Sequence, residues 1–110
     1  MKVSEEYKSY IEEQFSAFGD VDFKKMFGGY GIFREGIMFA MISPGDIFRM
    51  RANDINVGDY QKEGMKQFPS QGGKKGMPYW DVPAFVLEDQ DELKLWAEKA
   101  FEAALRDKKK

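Results

Sequence analysis

Between Ser4 and Phe18 the apolar side chains Tyr7, Ile11, Phe15 and Phe18 recur at intervals of three and four, the spacing that lays them along one stripe of a helix. Ser4 suits the N-cap, Glu5 and Glu6 suit the positive end of the helix dipole, and Gly19 suits the stop. The outer positions Glu6, Glu12 and Glu13 then form a solvated face. From residue 22 to 51 the helical period disappears and β-branched and aromatic residues gather between two turn signals, Glu35-Gly36 and Ser43-Pro44-Gly45-Asp46. This predicts a three-stranded antiparallel meander over about 24–34, 37–42 and 47–51. Asn53 and Asp54 are candidate caps for a short helix running to about Glu63, stopped by Gly64.

Two further short strands are expected at Met65 to Phe68 and Met77 to Val82, joined by a glycine- and lysine-containing loop over 69–76. The last element has the clearest pattern. Asp89 and Glu92 are spaced as a capping box, and Leu93, Trp96, Ala97, Ala100, Phe101, Ala104 and Leu105 follow at helical intervals before Arg106 and the terminal lysines.

Turn length sets strand register, and register decides which side chains share a face. A two-residue turn at Glu35-Gly36 and a four-residue loop at Ser43 to Asp46 place Tyr30, Ile32, Ile37, Phe39, Met41, Phe48 and Met50 on one face, the side expected to pack under helices. The opposite face then holds Gly29, Gly31, Phe33, Met38, Ala40, Ile42, Ile47, Arg49 and Arg51. A solvated sheet face normally carries alternating polar residues, and this one does not. Gly29, Gly31 and Ala40 would form a shallow trough beside Arg49, a surface for a partner, and the second helix or the glycine loop could equally cover it.

Composition changes this picture mainly by exclusion. The chain has 110 residues, enough for one domain with one core, and 43% of them are apolar. It contains no cysteine and no histidine, which removes disulfides, thiol nucleophiles, Ser-His-Asp triads and ordinary zinc sites. No apolar run approaches the roughly 20 residues of a membrane span, and the first residues do not read as a signal peptide, so a cytoplasmic location without membrane contact is expected. The net charge is −2 and uneven: residues 1–20 carry two basic and five acidic groups, residues 21–80 nine and six, and residues 81–110 six and eight. Such a balance argues against general duplex binding, which draws its affinity from a strong basic excess.

Gly28-Gly29-Tyr30-Gly31 lacks dinucleotide-binding spacing, and Gly72-Gly73-Lys74 lacks the first glycine of a phosphate loop because Phe68 stands there. Asp89, Asp91 and Glu92 lack the calcium-loop pattern and read as a helix start. No catalytic, cofactor or metal residues emerge.

Three segments carry a family resemblance: Lys25-Met26-Phe27-Gly28-Gly29-Tyr30-Gly31-Ile32-Phe33, Gly36-Ile37-Met38-Phe39-Ala40, and Met77-Pro78-Tyr79-Trp80-Asp81-Val82-Pro83. They resemble the TfoX N-terminal domain of bacterial regulators of competence for DNA uptake, over about residues 5–106. The resemblance implies an α+β, two-layer fold with a five-stranded antiparallel sheet in the order α-β-β-β-α-β-β-α, similar to secretion chaperones. It also implies a bacterial, cytoplasmic, non-enzymatic protein with no cofactor and no catalytic residue to carry over. Full-length regulators of this type continue into a helical C-terminal domain. This chain stops at Lys110, so it is expected to be a single stand-alone domain over 1–110 with a basic tail at 107–110, and a role in DNA transformation or transcription regulation does not follow from the fold.

Together these readings lead to a regulatory, protein-interaction module that binds a protein partner or a second copy through Gly29, Gly31, Phe33, Met38, Ala40, Arg49 and Arg51. Nucleic-acid binding by the same aromatic and arginine face, with Lys74, Lys75 and the terminal lysines, is the alternative.

Overall fold

The structure, a computed structural model, describes residues 3–26, 28–68 and 77–108. The expected 69–76 loop, with Lys74 and Lys75, and the terminal Lys109 and Lys110 lie outside the described residues.

Helix α1 spans Glu5–Gln14 and tightens into a single 3₁₀ turn at Phe15–Ala17. Its Ser4 cap is present, with the Ser4 hydroxyl accepting from the Tyr7 backbone N–H at 3.1 Å, and Gly19 ends it at φ +119°. Five antiparallel strands follow: β1 (Asp22–Met26), β2 (Gly29–Arg34), β3 (Ile37–Ser43), β4 (Ile47–Arg51) and β5 (Tyr79–Asp81), ordered β1-β2-β3-β4-β5 across the sheet. Helix α2 (Val57–Lys62) joins β4 to β5, and α3 (Ala84–Leu87) and α4 (Gln90–Lys108) complete the chain. The Asp89 carboxylate caps α4 by accepting from the Asp91 and Glu92 N–H groups at 2.9 and 3.2 Å.

The α+β class and the five-stranded antiparallel sheet agree with expectation, while the order of elements differs: α-β-β-β-β-α-β-α-α. The segment expected as one strand over 24–34 is a hairpin, because Gly28 adopts a positive φ of +79° and folds the chain back so that Met26 pairs with Gly29. The expected strand at Met65 to Phe68 is reduced to an isolated bridge from Gln67 to Trp80 beside β5. The short α3, opened by Pro83, has no counterpart in the sequence reading. Helix α2 begins at Val57 because Asn53 spends its side chain on a preceding turn, where its carboxamide oxygen accepts from Ile55 N–H at 2.9 Å. Asp107 and Lys108, assigned to a basic tail, belong to α4.

One apolar cluster holds the helices to one face of the sheet. Ile11, Phe15 and Phe18 from the first helical segment meet Ile32, Phe39, Ala40, Ile42, Phe48 and Met50 from the strands and Leu93, Ala97, Ala100 and Ala104 from α4. The alanines leave only methyl groups between α4 and the sheet, which lets the helix axis sit close. Phe39 is the hub, with its ring 5.8, 5.3 and 6.1 Å from those of Phe15, Phe18 and Phe101. Tyr60 of α2 is fully buried between Trp96 and Trp80, at ring distances of 4.9 and 6.3 Å. Among the described residues its hydroxyl has no hydrogen-bond partner.

Two local features set the register. At the β2–β3 turn Glu35 and Gly36 both take positive φ, +52° and +78°, as the two-residue turns that match hairpin twist require. The pairing Phe33 with Met38 follows, but a bulge at Phe39 then shifts the ladder so that Ile32 faces Ala40 and Tyr30 faces Ile42. The β3–β4 loop is three residues long, not four, since Ser43 pairs with Ile47. Asp46 supports the tighter loop from the left-handed region at φ +59°, and its carboxylate accepts from the Ser4 N–H at 2.9 Å and the Ser4 hydroxyl at 3.1 Å.

The extra residue in the bulge and the missing residue in the loop offset each other. β2 and β4 therefore keep the expected phase, while Ala40 and Ile42 move into the core and Met41 moves to the other face.

Candidate functional site

The sheet face away from the helices is built by register from Asp22, Lys24 and Met26 of β1, Gly31 and Phe33 of β2, Met38 and Met41 of β3, Arg49 and Arg51 of β4, and Tyr79 and Asp81 of β5. It divides into an apolar half and a paired-charge half.

The apolar half centres on Gly31. A Cβ placed there would lie 2.8 Å from the Met26 sulfur, 2.9 Å from the Phe33 ring and 3.3 Å from the Met38 sulfur. The expected trough is thus filled by neighbouring side chains. Met26, Phe33, Met38 and Met41 are each half-buried, and the Lys24 ammonium lies over the Phe33 ring, 4.8 Å from its centroid. Gly29 is a different case: a Cβ on it would overlap the Ile42 carbonyl oxygen, so this glycine serves the close approach of β2 to β3 and presents no open surface. Ala40 is fully buried on the helix side, and its assignment to the partner-binding face is corrected by the bulge at Phe39.

The second half contains both arginines, on the expected face but engaged. Arg49 is only 8% exposed; its Nε donates to Asp81 at 2.6 Å, its Nη1 donates to the Ser43 hydroxyl at 2.7 Å, and its guanidinium stacks 4.1 Å from the centre of the Phe68 ring. Arg51 donates through Nε and Nη2 to Asp107 of α4 at 3.2 and 2.9 Å. Burial opposes the charge on Arg51, but hydrogen bonds with Asp107 and Tyr79 outweigh it and hold the guanidinium above its ordinary pKa. Burial raises the Tyr79 phenol despite the opposing pull of Arg51. A shallow cleft of about 350 Å³ opens here between Gly36, Ile37, Arg51, Tyr79 and the end of α4.

Of the seven residues singled out from sequence, the structure gathers Gly31, Phe33 and Met38 into one patch, sets Arg49 and Arg51 beside it, and removes Gly29 and Ala40. Met26 and Met41 were missed, and so were the acids Asp81 and Asp107 that neutralise the arginines. Asp81 could have been found once Tyr79 to Asp81 was paired against β4; Asp107 lies 56 residues from Arg51 and carries no local signal. Among the described residues no group of three or more acidic side chains could hold a metal ion, and no helix is long and apolar enough to cross a membrane.

A two-layer arrangement of this kind, with an engaged polar half and an apolar half on the sheet face away from the described helices, defines a small α+β domain. The TfoX N-terminal domain family model matches residues 13–104, and the chain belongs to that family. It is a competence-regulator-like domain, of a regulatory-type family that is not a known enzyme family. No curated protein matches the chain.

Proposed function

We propose that this chain is a non-enzymatic regulatory module that works by binding an apolar segment of another protein on the sheet face away from the described helices. The observation that carries the reading is the half-buried set Met26, Phe33, Met38 and Met41 packed around Gly31. Methionine is flexible and polarizable, and surfaces rich in it adapt to partners of varied shape. The charges around the patch favour an uncharged apolar partner, because Arg49 and Arg51 are matched by Asp81 and Asp107 and Lys24 stands on the same strand as Asp22. The same pairing counts against the nucleic-acid alternative, since a phosphate would have to displace two carboxylates. Family membership supports a regulatory setting of the kind found in competence control, and a cytoplasmic location is part of this proposal.

A photo-crosslinking residue at position 38, introduced in the native host, tests the reading. One protein should be captured in a discrete adduct, and Phe33→Lys or Met41→Lys should abolish it while circular dichroism shows each variant still folded. No adduct, or an adduct indifferent to both substitutions, would overturn the proposal.

A further inference from the structure

Strand β1 is the outermost strand of the sheet, and among the described residues nothing pairs with its free edge. A free edge is a row of unpaired backbone donors and acceptors that another strand can use, so proteins either block such edges or specify what joins them. The β1 sequence Asp22-Phe23-Lys24-Lys25-Met26 reads differently according to register. If two copies meet by antiparallel β1 pairing about a two-fold axis normal to the sheet, each residue faces one that lies on the same side of the sheet. A pairing centred on Lys24 sets two ammonium groups directly opposite each other, and like charges in that position repel. A pairing centred on Phe23 sets Phe23 against Phe23, and Asp22 of each copy against Lys24 of the other. Val21 then faces Lys25. This register has two opposite-charge pairs on one side of the sheet and an aromatic pair on the other.

The surroundings are compatible. Asp22, Lys24 and Lys25 are exposed and Phe23 is half-buried. The Lys8 ammonium lies 5.4 Å from the centre of the Phe23 ring and is paired with Glu12 at 3.9 Å, so a second α1 approaching Phe23 meets a neutral pair.

We infer that β1 joins β1 of a second copy in the Phe23-centred register, making a continuous ten-stranded sheet with the Met26, Phe33, Met38 and Met41 patch displayed once by each copy. The inference uses the edge and not the patch, and it stands independently of the partner proposed above. The contact is small, so association belongs to the weak range of protein interfaces. The charges choose the register: the Phe23-centred pairing gains two ion pairs where its neighbour gains a repulsion.

Sedimentation equilibrium from about 10 µM to 1 mM, the window for weak interfaces, should show a reversible monomer–dimer equilibrium. Asp22→Lys alone faces two ammonium groups across the edge, and Lys24→Asp alone faces two carboxylates; each should weaken dimerisation by about tenfold or more. Mixing the two variants should restore a dimer, because each then presents the charges the other lacks, and the double variant should also dimerise. Both positions are exposed, and circular dichroism should confirm unchanged folding. Monomers at every concentration, single variants that associate like the parent, or a mixture that remains monomeric would each overturn the inference. Met41→Lys, on β3 and two strands away from β1, should leave this equilibrium unchanged, which separates failure at the edge from failure at the patch.

Discussion

On the helix side of the sheet Ile32, Phe39, Ala40, Ile42 and Met50 are wholly removed from water, whereas across the same strands Phe33, Met38 and Met41 remain half-buried and Arg49 must find its partners within the chain. The backbone is common to both faces, so the contrast comes from what packs on each. Helices cover one side with a continuous apolar stripe. The other side closes on itself through methionine sulfurs over a glycine and through guanidinium groups held by acids. Side chains on the first face therefore act mainly through volume, and those on the second mainly through who their neighbour is.

The sharpest way to break this contrast is a matched truncation. Phe39→Ala should cost about 3–5 kcal/mol, the range for emptying a fully buried phenylalanine site, while Phe33→Ala should cost about 1–2 kcal/mol because that side chain is only partly buried. Chemical denaturation of the two variants checks the ratio, and equal losses would show that the second face is as tightly packed as the first. Asp81→Ala should follow at about 2 kcal/mol: it strands the buried Arg49 charge, and the 36% exposure of the Asp81 side chain lets water relieve part of the 3–5 kcal/mol expected for a fully buried pair.

The glycines give a finer test. Gly29→Ala drives a methyl group into the Ile42 carbonyl, which belongs to the backbone and cannot yield, and about 2–3 kcal/mol should be lost. Gly31→Ala meets two flexible methionine sulfurs and one ring edge, and about 1 kcal/mol should suffice to move them. The order of the two melting temperatures is the readout.

The smallest effect has the opposite sign. Tyr60→Phe removes a buried hydroxyl with no partner among the described residues and should be neutral or stabilising by up to about 1 kcal/mol. The same burial makes the protein sensitive to strong alkali. Burial, aided by Asp46, pushes the Tyr7 phenol up to about 12, and burial, aided by Asp59, raises Tyr60 above its ordinary value. Above pH 10 the unfolded chain releases these protons while the folded chain keeps them, so stability should be flat up to about pH 9.5 and fall steadily between 10 and 12. Denaturation midpoints across that range provide the check, and Tyr7→Phe should flatten the fall.

Much of this architecture was legible in the sequence because its signals are local. The Tyr7, Ile11, Phe15, Phe18 stripe, the Ser4 cap, the Glu35-Gly36 turn and the Asp89 start of α4 depend on residues within a few positions of one another. What escaped depends on longer range. The bulge at Phe39 keeps that ring against Phe15, Phe18 and Phe101 while turning Ala40 and Ile42 to the same side, and the three-residue loop is braced by Asp46, which Ser4 engages from 42 positions earlier. Neither is visible in an alternation of apolar and polar residues. The candidate patch was half legible for the same reason: Phe33 and Met38 sit next to a turn that could be read, while Met41 lies beyond the bulge and Met26 across a reversal hidden in a glycine pair.

The Asp46 carboxylate that grips Ser4 also ties two distant ends of the fold together. Ser4 accepts from the Tyr7 N–H at the start of the first helix and donates to Asp46 in the β3–β4 loop, so fraying of the helix start and loosening of the loop each cost the other its hydrogen bonds. The two motions are energetically coupled through a single serine.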